Sequence, residues 1–279
     1  MSNAAALAPS NPAPPPDAGA VVALRDISIS FDGPPVLKNV TFSVAPGETR
    51  ILLGPAGVGK SVLLKLVIGL LRPQNGSIEL FGEEISRMPE EKLFPLRSRA
   101  GIVFQESALF DSLSVRDNVG YQWIQEGAPD EEIDQRVREA LSFVGLAETF
   151  SLYPPSLSGG MRRRVAIARA LIHNPELILY DSPTGGLDPV TSTTIIELIV
   201  KQRDVKATPS VLVTHRLQDA FTLCNHRFDP EQDRMVPLPA GETNANTTFL
   251  MLEDGRLIFD GSLDDLLHTK NEFVREFLE

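Results

Sequence analysis

At 279 residues, 42% hydrophobic and 23% charged, the chain is long enough for a large α/β core in one domain or in a domain with a subdomain. A formal net charge of −11 argues against general nucleic-acid binding, which needs clustered Lys and Arg to displace counterions, and against polybasic lipid binding. The single cysteine, Cys224, cannot form an intrachain disulfide, which fits a reducing compartment and reads most simply as a small buried residue.

Residues 1 to about 19 are Ala/Pro/Asn-rich, with Pro14 to Pro16 in a row; the reading is a disordered tail, without the basic start and apolar core of a signal peptide. From Val21 the pattern changes. Val22, Leu24, Ile27, Ile29 and Phe31 suggest short strands, followed by a turn at Asp32-Gly33-Pro34. Thr41 to Val44 reads as another strand, closed by Pro46-Gly47, and Thr49 to Leu53 as a buried strand running into a glycine loop. Lys60 to Leu71 is expected as the helix after that loop. Its Val62 to Leu71 portion is the most apolar stretch of the chain, but it falls short of the ~20 residues of a membrane span and carries Lys65, so any membrane role has to come through a partner.

The middle, from about Ser107 to Ala170, reads as helical; Glu131 to Val144 places Ile133, Val137, Ala140, Leu141 and Val144 at helix spacing. Leu177 to Tyr180 and Val211 to Val213 are short apolar runs of the kind found in central parallel strands. Strand–helix alternation predicts an α/β fold with a mostly parallel sheet covered by helices. No internal repeat is evident.

Gly54-Pro55-Ala56-Gly57-Val58-Gly59-Lys60-Ser61 fits the P-loop pattern between a predicted strand and a predicted helix. Glycines let backbone N–H groups turn toward phosphate oxygens, and the helix N-terminus adds its positive dipole end. Lys60 would reach the β- and γ-phosphates of ATP, and the Ser61 hydroxyl would ligate Mg²⁺. The alternative is a chance glycine turn, which the strand–helix context disfavours. Asp181, ending the second apolar strand, is placed to hold Mg²⁺ through water, although a lone strand-end aspartate is usually a turn residue.

Leu157-Ser158-Gly159-Gly160-Met161, followed by Arg162 to Ala170, resembles the signature segment of ABC ATPases. Ser158 would cap a helix whose N-terminus and two glycines, Gly159 and Gly160, offer donors to an anion. The resemblance implies that this anion is the γ-phosphate held by the opposite subunit of a homodimer. It extends to Gln105 as the Q-loop residue that senses Mg²⁺, to Asp188 as the D-loop residue crossing the dimer seam, and to His215 as the switch histidine reaching the γ-phosphate. Phe31 matches the aromatic that stacks on adenine, or is an ordinary strand residue. The likeness runs from about Val21 to Leu278. It implies a P-loop NTPase core (residues 20–279) with an N-terminal antiparallel β subdomain and an inserted helical subdomain at about 106–165. It further implies membrane-embedded permease subunits as partners and a peripheral place on the cytoplasmic face of the cell membrane.

Within that family, Met161 stands where most members have Gln, and Ser107 to Val115 follows the Q-loop. Both resemble the ATPases of Mce/Mla-type transporters, which implies phospholipid or other hydrophobic cargo and a Mce-type substrate-binding protein as a further partner. Two features depart from the pattern. Ser182 occupies the position where the family usually carries the glutamate that polarises attacking water, and a serine hydroxyl is no base near neutral pH. The polar, proline-containing stretch 227–248 reads as an inserted surface loop. The expectation is therefore an ATP-driven transporter motor. Ser182 leaves open an assembly module that binds ATP and hydrolyses it poorly, and a soluble ABC regulator is the remaining alternative.

Overall fold

The computed structural model describes residues 19–279; the tail expected over residues 1 to about 19 lies almost wholly outside the described residues. The first strand, β1 (Val22–Ser30), pairs antiparallel with β2 (Pro35–Val44) on one side and β4 (Asn75–Leu80) on the other, and β5 (Glu83–Glu84) completes a four-stranded sheet. The expected short strands before residue 31 are one strand, bent at Asp26, whose left-handed φ of 53° coincides with a register shift. The second strand starts at Pro35 rather than Thr41 because its first half pairs with Ile27 to Ser30.

The main sheet has six strands in the order β12-β11-β3-β8-β7-β6. Here β3 is Thr49–Leu53, β6 Ala100–Val103, β7 Leu177–Asp181, β8 Ser210–Val213, β11 Thr247–Glu253 and β12 Arg256–Gly261. All neighbours are parallel except β12, which runs antiparallel to β11. Side chains alternate between two buried faces. Ile51, Leu53, Ile178, Tyr180, Leu212, Phe249 and Met251 join the core under the helices. Leu52, Leu177, Leu179, Val211, Val213, Leu250 and Leu252 join the core shared with the antiparallel sheet. Burial on both faces explains why these strands appear in the sequence as unbroken apolar runs.

Helix α1 (Lys60–Val67) stops four residues before the expected Leu71. Gly69 turns left-handed (φ 67°) and the Leu70 N–H folds back to the Lys65 carbonyl at 2.8 Å, a glycine-ended C-terminus. Helix α2 (Glu90–Arg97) precedes β6. The helical region holds α3 (Val115–Val119), α4 (Tyr121–Gln125), α5 (Asp130–Phe143) and α6 (Gly159–Leu171). Its first part, 104–114, is not helical. It is a loop organised by the buried Asn118, whose amide donates to the carbonyls of Phe110, Leu113 and Ser114 and accepts from the Phe110 N–H. The spacing read from Ile133, Val137 and Leu141 is the buried face of α5.

Helix α7 (Pro189–Lys206) leads to β8, and α8 (Leu217–Asn225) follows it. Residues 227–248, expected as a surface loop, instead contain most of a hairpin, β9 (His226–Asp229) with β10 (Arg234–Pro237). The hairpin is fastened to α7: Asp204 accepts from the Phe228 N–H at 2.7 Å, Glu197 from the Met235 N–H at 2.7 Å, and Lys201 pairs with Asp233. The two strands are only four residues long and half of their residues are polar, so the sequence alone reads as loop. Helices α9 (Leu263–Leu267) and α10 (Glu272–Leu278) close the chain. Among the described residues no helix is long and apolar enough to cross a membrane.

Candidate functional site

Four parallel strands deliver candidate residues at their C-terminal ends, where ligands bind in open α/β sheets. Strand β3 enters the loop 54–61, β6 leads to Gln105, β7 ends in Asp181 followed by Ser182, and β8 leads to His215. The loop has the backbone that its glycines allow. Gly54 takes φ 141°, and a Cβ there would lie 2.6 Å from the Leu252 carbonyl oxygen, so only glycine fits between β3 and β11. Gly59 is left-handed (φ 105°) and starts α1 with no side-chain cap, leaving the first helical N–H groups open toward the loop. Pro55, Ala56, Gly57 and Val58 form the outer curve of this turn.

The buried Lys60 donates from Nζ to the carbonyls of Gly54 (2.7 Å) and Pro55 (2.5 Å), which leaves one donor for another partner. Burial pushes its pKa down, and the Asp181 carboxylate opposes that shift. The Ser61 hydroxyl donates to Asp181 Oδ1 at 3.1 Å. Two hard oxygen ligands therefore sit side by side next to a cation. No group of three or more His, Cys, Asp or Glu that could hold a metal by itself occurs among the described residues. Mg²⁺ fits such a place, because it accepts one or two protein oxygens and takes the rest of its octahedron from phosphate and water.

Ser182 is buried and left-handed (φ 48°), with its N–H donating to Val213 O and its carbonyl accepting from Gly185 N–H at 2.9 Å each. The side chain of Gln105 lies against Gly185, so Gln105 and the 182–186 turn face one another. His215 is exposed directly after β8. Its neighbours are strongly tied: Arg216 donates to Ser192 Oγ at 2.8 Å and lies 3.7 Å from Asp219, which also accepts from the Thr184 hydroxyl. Burial raises the Asp219 pKa, opposed by Thr184, Arg216 and His215.

Ser158, Gly159, Gly160 and Asp188 gather elsewhere, where α6 and α7 begin. Ser158 caps α6, its Oγ accepting from the Met161 N–H at 3.2 Å. Asp188 caps α7, accepting from the Thr191 N–H at 3.0 Å and the Thr191 hydroxyl at 2.5 Å, bonds that hold its carboxyl below the usual range. A Cβ at Gly160 would lie 2.3 Å from Thr191 Cγ2, so the second glycine is also a packing requirement. Among the described residues no hydrogen bond joins 158–160 to the loop 54–61. Phe31 is half exposed just beyond β1.

Sequence reasoning missed Arg163, Thr184 and Asp219. Arg163 read as one of three basic residues on a helix. Its burial against the carbonyls of Phe104 and Gly185 depends on the packing of α6 beside β6 and β7.

Comparison with known proteins gives a consistent picture. The family model described as "ABC transporter" matches residues 37–185. Protein TRIGALACTOSYLDIACYLGLYCEROL 3, chloroplastic, from Arabidopsis thaliana is 33% identical over 94% of this chain and 74% of its own. The probable ribonucleotide transport ATP-binding protein mkl from Mycobacterium leprae is 37% identical over 93% and 69%. A methionine import ATP-binding protein from Carboxydothermus hydrogenoformans is 35% identical over 92% and 71%. Among solved structures, a dimeric ATP-binding cassette in a post-hydrolysis state bound to ADP and Pi aligns with TM-score 0.73 at 28% identity, covering 87% of this chain and 98% of that one.

Proposed function

We propose, because this chain belongs to the ABC transporter family, that two copies meet head to tail and that each loop 54–61 closes with the partner's Ser158–Gly160 segment over one MgATP. The chain is an ABC transporter ATP-binding subunit that hydrolyses ATP. The observation that carries the dimer reading is the pair of helix starts: one open and cation-bearing at α1, the other at α6 with no hydrogen bond to that loop. In this reading the loop amides and Lys60 hold the phosphates. Ser61, Asp181 and Gln105 serve Mg²⁺, which neutralises phosphate charge when bound. His215 addresses the γ-phosphate, Asp188 lies at the seam, and Phe31 stacks on adenine. The cassette is residues 20–279, with the helical subdomain at about 106–165.

Light scattering tests the dimer. MgATP should raise the mass of the wild-type chain, and Ser158→Arg should block that rise while ATP still binds. An identical mass with and without MgATP in both proteins would sink the reading.

Membrane permeases are the proposed partners, at the cytoplasmic face. Exposed Phe110 and Tyr121, whose rings lie 4.9 Å apart beside the Gln105 segment, support docking there. Val115, expected in that surface, is buried and belongs to the core. The relatives' printed names point in different directions: two name ribonucleotide transport and methionine import, and the third carries the word trigalactosyldiacylglycerol, a galactolipid, without saying what it moves. Met161, the segment 107–115 and the galactolipid name favour lipid or other hydrophobic cargo, with a Mce-type protein as carrier. Transfer of labelled phospholipid between vesicles by the reconstituted complex, dependent on ATP, is the check; transport of a polar solute instead would overturn it.

Ser182 favours a second feature, slow turnover. General base assistance is worth about 10²–10⁴ in rate, whereas charge neutralisation by Lys60 and the metal remains. Ser182→Glu should therefore speed hydrolysis and shorten the life of the closed dimer. Ordinary transporter rates in the wild type, unchanged by that substitution, would make the missing carboxylate irrelevant.

A further inference from the structure

We infer that Arg163 is a positioning residue for the Mg²⁺ end of the site: one guanidinium on α6 holds the backbone of the Gln105 segment and the backbone of the 182–186 turn in fixed relation. The inference rests on the nucleotide-site reading above. Arg163 Nη1 donates to the Phe104 carbonyl at 2.7 Å, immediately before Gln105, and Nη2 to the Gly185 carbonyl at 3.3 Å. The side chain of Gln105 lies against that same Gly185. The residue is 4% exposed, and its Nε has no partner among the described residues.

Its neighbours on the helix do other work. Arg162 donates to the Leu157 carbonyl, and Arg164 to those of Val144 and Gly145. A buried guanidinium whose Nε–H has no partner is costly unless something compensates. Burial lowers the Arg163 pKa, and the charge that opposes this is Asp181.

The segment it holds also needs holding. Ser107 and Ala108 are both left-handed, with φ of 64° and 47°. Non-glycine residues persist in that region only where their surroundings over-determine it. Arg169, on the same helix, donates to the carbonyls of these two residues at 2.9 and 2.7 Å. Helix α6 therefore grips the 104–108 segment at both ends. Because α6 begins at Ser158, it forms one arm from the partner-facing helix start to Gln105 and Gly185.

The test uses the full chain with Arg163→Met, which removes the donors, Arg163→Lys, which can serve one carbonyl at a time, and Arg164→Met as a control. ATP affinity is measured by calorimetry in EDTA and in Mg²⁺. Amide exchange is followed in the nucleotide-free protein at Ser107 and Gly185. ATP affinity in EDTA should stay within about twofold. Removing groups that orient metal ligands typically costs about 10–100-fold in metal affinity, so the gain in ATP affinity on adding Mg²⁺ should fall by about tenfold or more in Arg163→Met. It should fall less in Arg163→Lys and not at all in Arg164→Met, and exchange at 104–108 and 182–187 should quicken only in the Arg163 variants.

A folded Arg163→Met with the full Mg²⁺ gain overturns the inference, as does an equal loss in Arg164→Met or a wild type that gains nothing from Mg²⁺. If Arg163→Met does not fold, Arg163→Lys decides by the same criterion. A wild type that binds no ATP in either condition instead overturns the nucleotide-site reading itself.

Discussion

Two helix starts in this molecule combine glycine and serine to opposite effect. At α1 the cap is Gly59, left-handed and without a side-chain acceptor, so the first N–H groups stay open and Lys60 stands among them with a donor to spare. At α6 the cap is Ser158, already bonded to the Met161 N–H, and the nearby arginines are committed to carbonyls: Arg162 to Leu157, Arg163 to Phe104 and Gly185. The first start brings its own cation within one chain. In the proposed dimer, the second would offer backbone dipole and a serine hydroxyl to a phosphate neutralised elsewhere. Two helix starts thus differ in what each leaves unsatisfied, a difference that supports the proposed division of one for binding and the other for closure.

The contrast breaks most visibly at Lys60. A hydrogen bond to a charged group is worth about 1.5–3 kcal/mol, so Lys60→Ala should weaken MgATP binding by about 10–150-fold. Calorimetry checks this, and an unchanged affinity would remove α1 from the site. The next effect falls on stability. Gly160→Ala pushes a methyl into Thr191, itself held by Asp188, and should cost about 1–3 kcal/mol in denaturant unfolding. Gly159→Ala, whose methyl would lie 3.7 Å from Leu187, should be milder. Equal costs would mean that Thr191 yields freely. Ser158→Ala should remove about 1 kcal/mol as a lost cap, leave monomer nucleotide affinity unchanged, and weaken only the MgATP-induced dimer.

The smallest effect is on pH dependence, where two carboxylates near these helices have opposite signs. Asp188 has a depressed pKa, so its stabilisation is present above the unfolded carboxylate value and is lost as pH falls through the folded one. Asp219 has a raised pKa, so its contribution is present below the unfolded value and is lost as pH rises through the folded one. The stability gap between wild type and Asp188→Asn should therefore close as pH drops below about 4, while the gap to Asp219→Asn should shift in the protein's favour at higher pH, as pH falls through the raised folded value toward about 4. Thermal melting across pH resolves both, and parallel trends would contradict the assigned causes.

Much of the core was legible because the same physics that buries a parallel strand on both faces writes an apolar run: Thr49 to Leu53, Leu177 to Tyr180 and Val211 to Val213 are strands as read. The loop 54–61 was legible because its requirement is local, a left-handed glycine and a lysine one residue later. The hairpin escaped because it is held together from far away. The 227–248 segment contains a hairpin because Asp204 and Glu197 of α7 bond its backbone. Helix α1 ends early because Gly69 turns left-handed, a backbone choice that an apolar run masks.

By itself, the sequence determined the central strands, the glycine loop before Lys60, the helix cap at Ser158 and the serine at position 182, since each depends on neighbours a few residues apart. Only the tertiary structure decided that Gln105 faces Gly185, that Arg163 rather than Arg162 or Arg164 bonds the carbonyls of Phe104 and Gly185, and that the Thr184 hydroxyl meets Asp219. These contacts join residues 22 to 80 positions apart through a guanidinium, a carboxylate or a bare glycine surface. A buried donor must find its acceptor wherever the packing of helices on the sheet happens to present one, and no local pattern encodes that address.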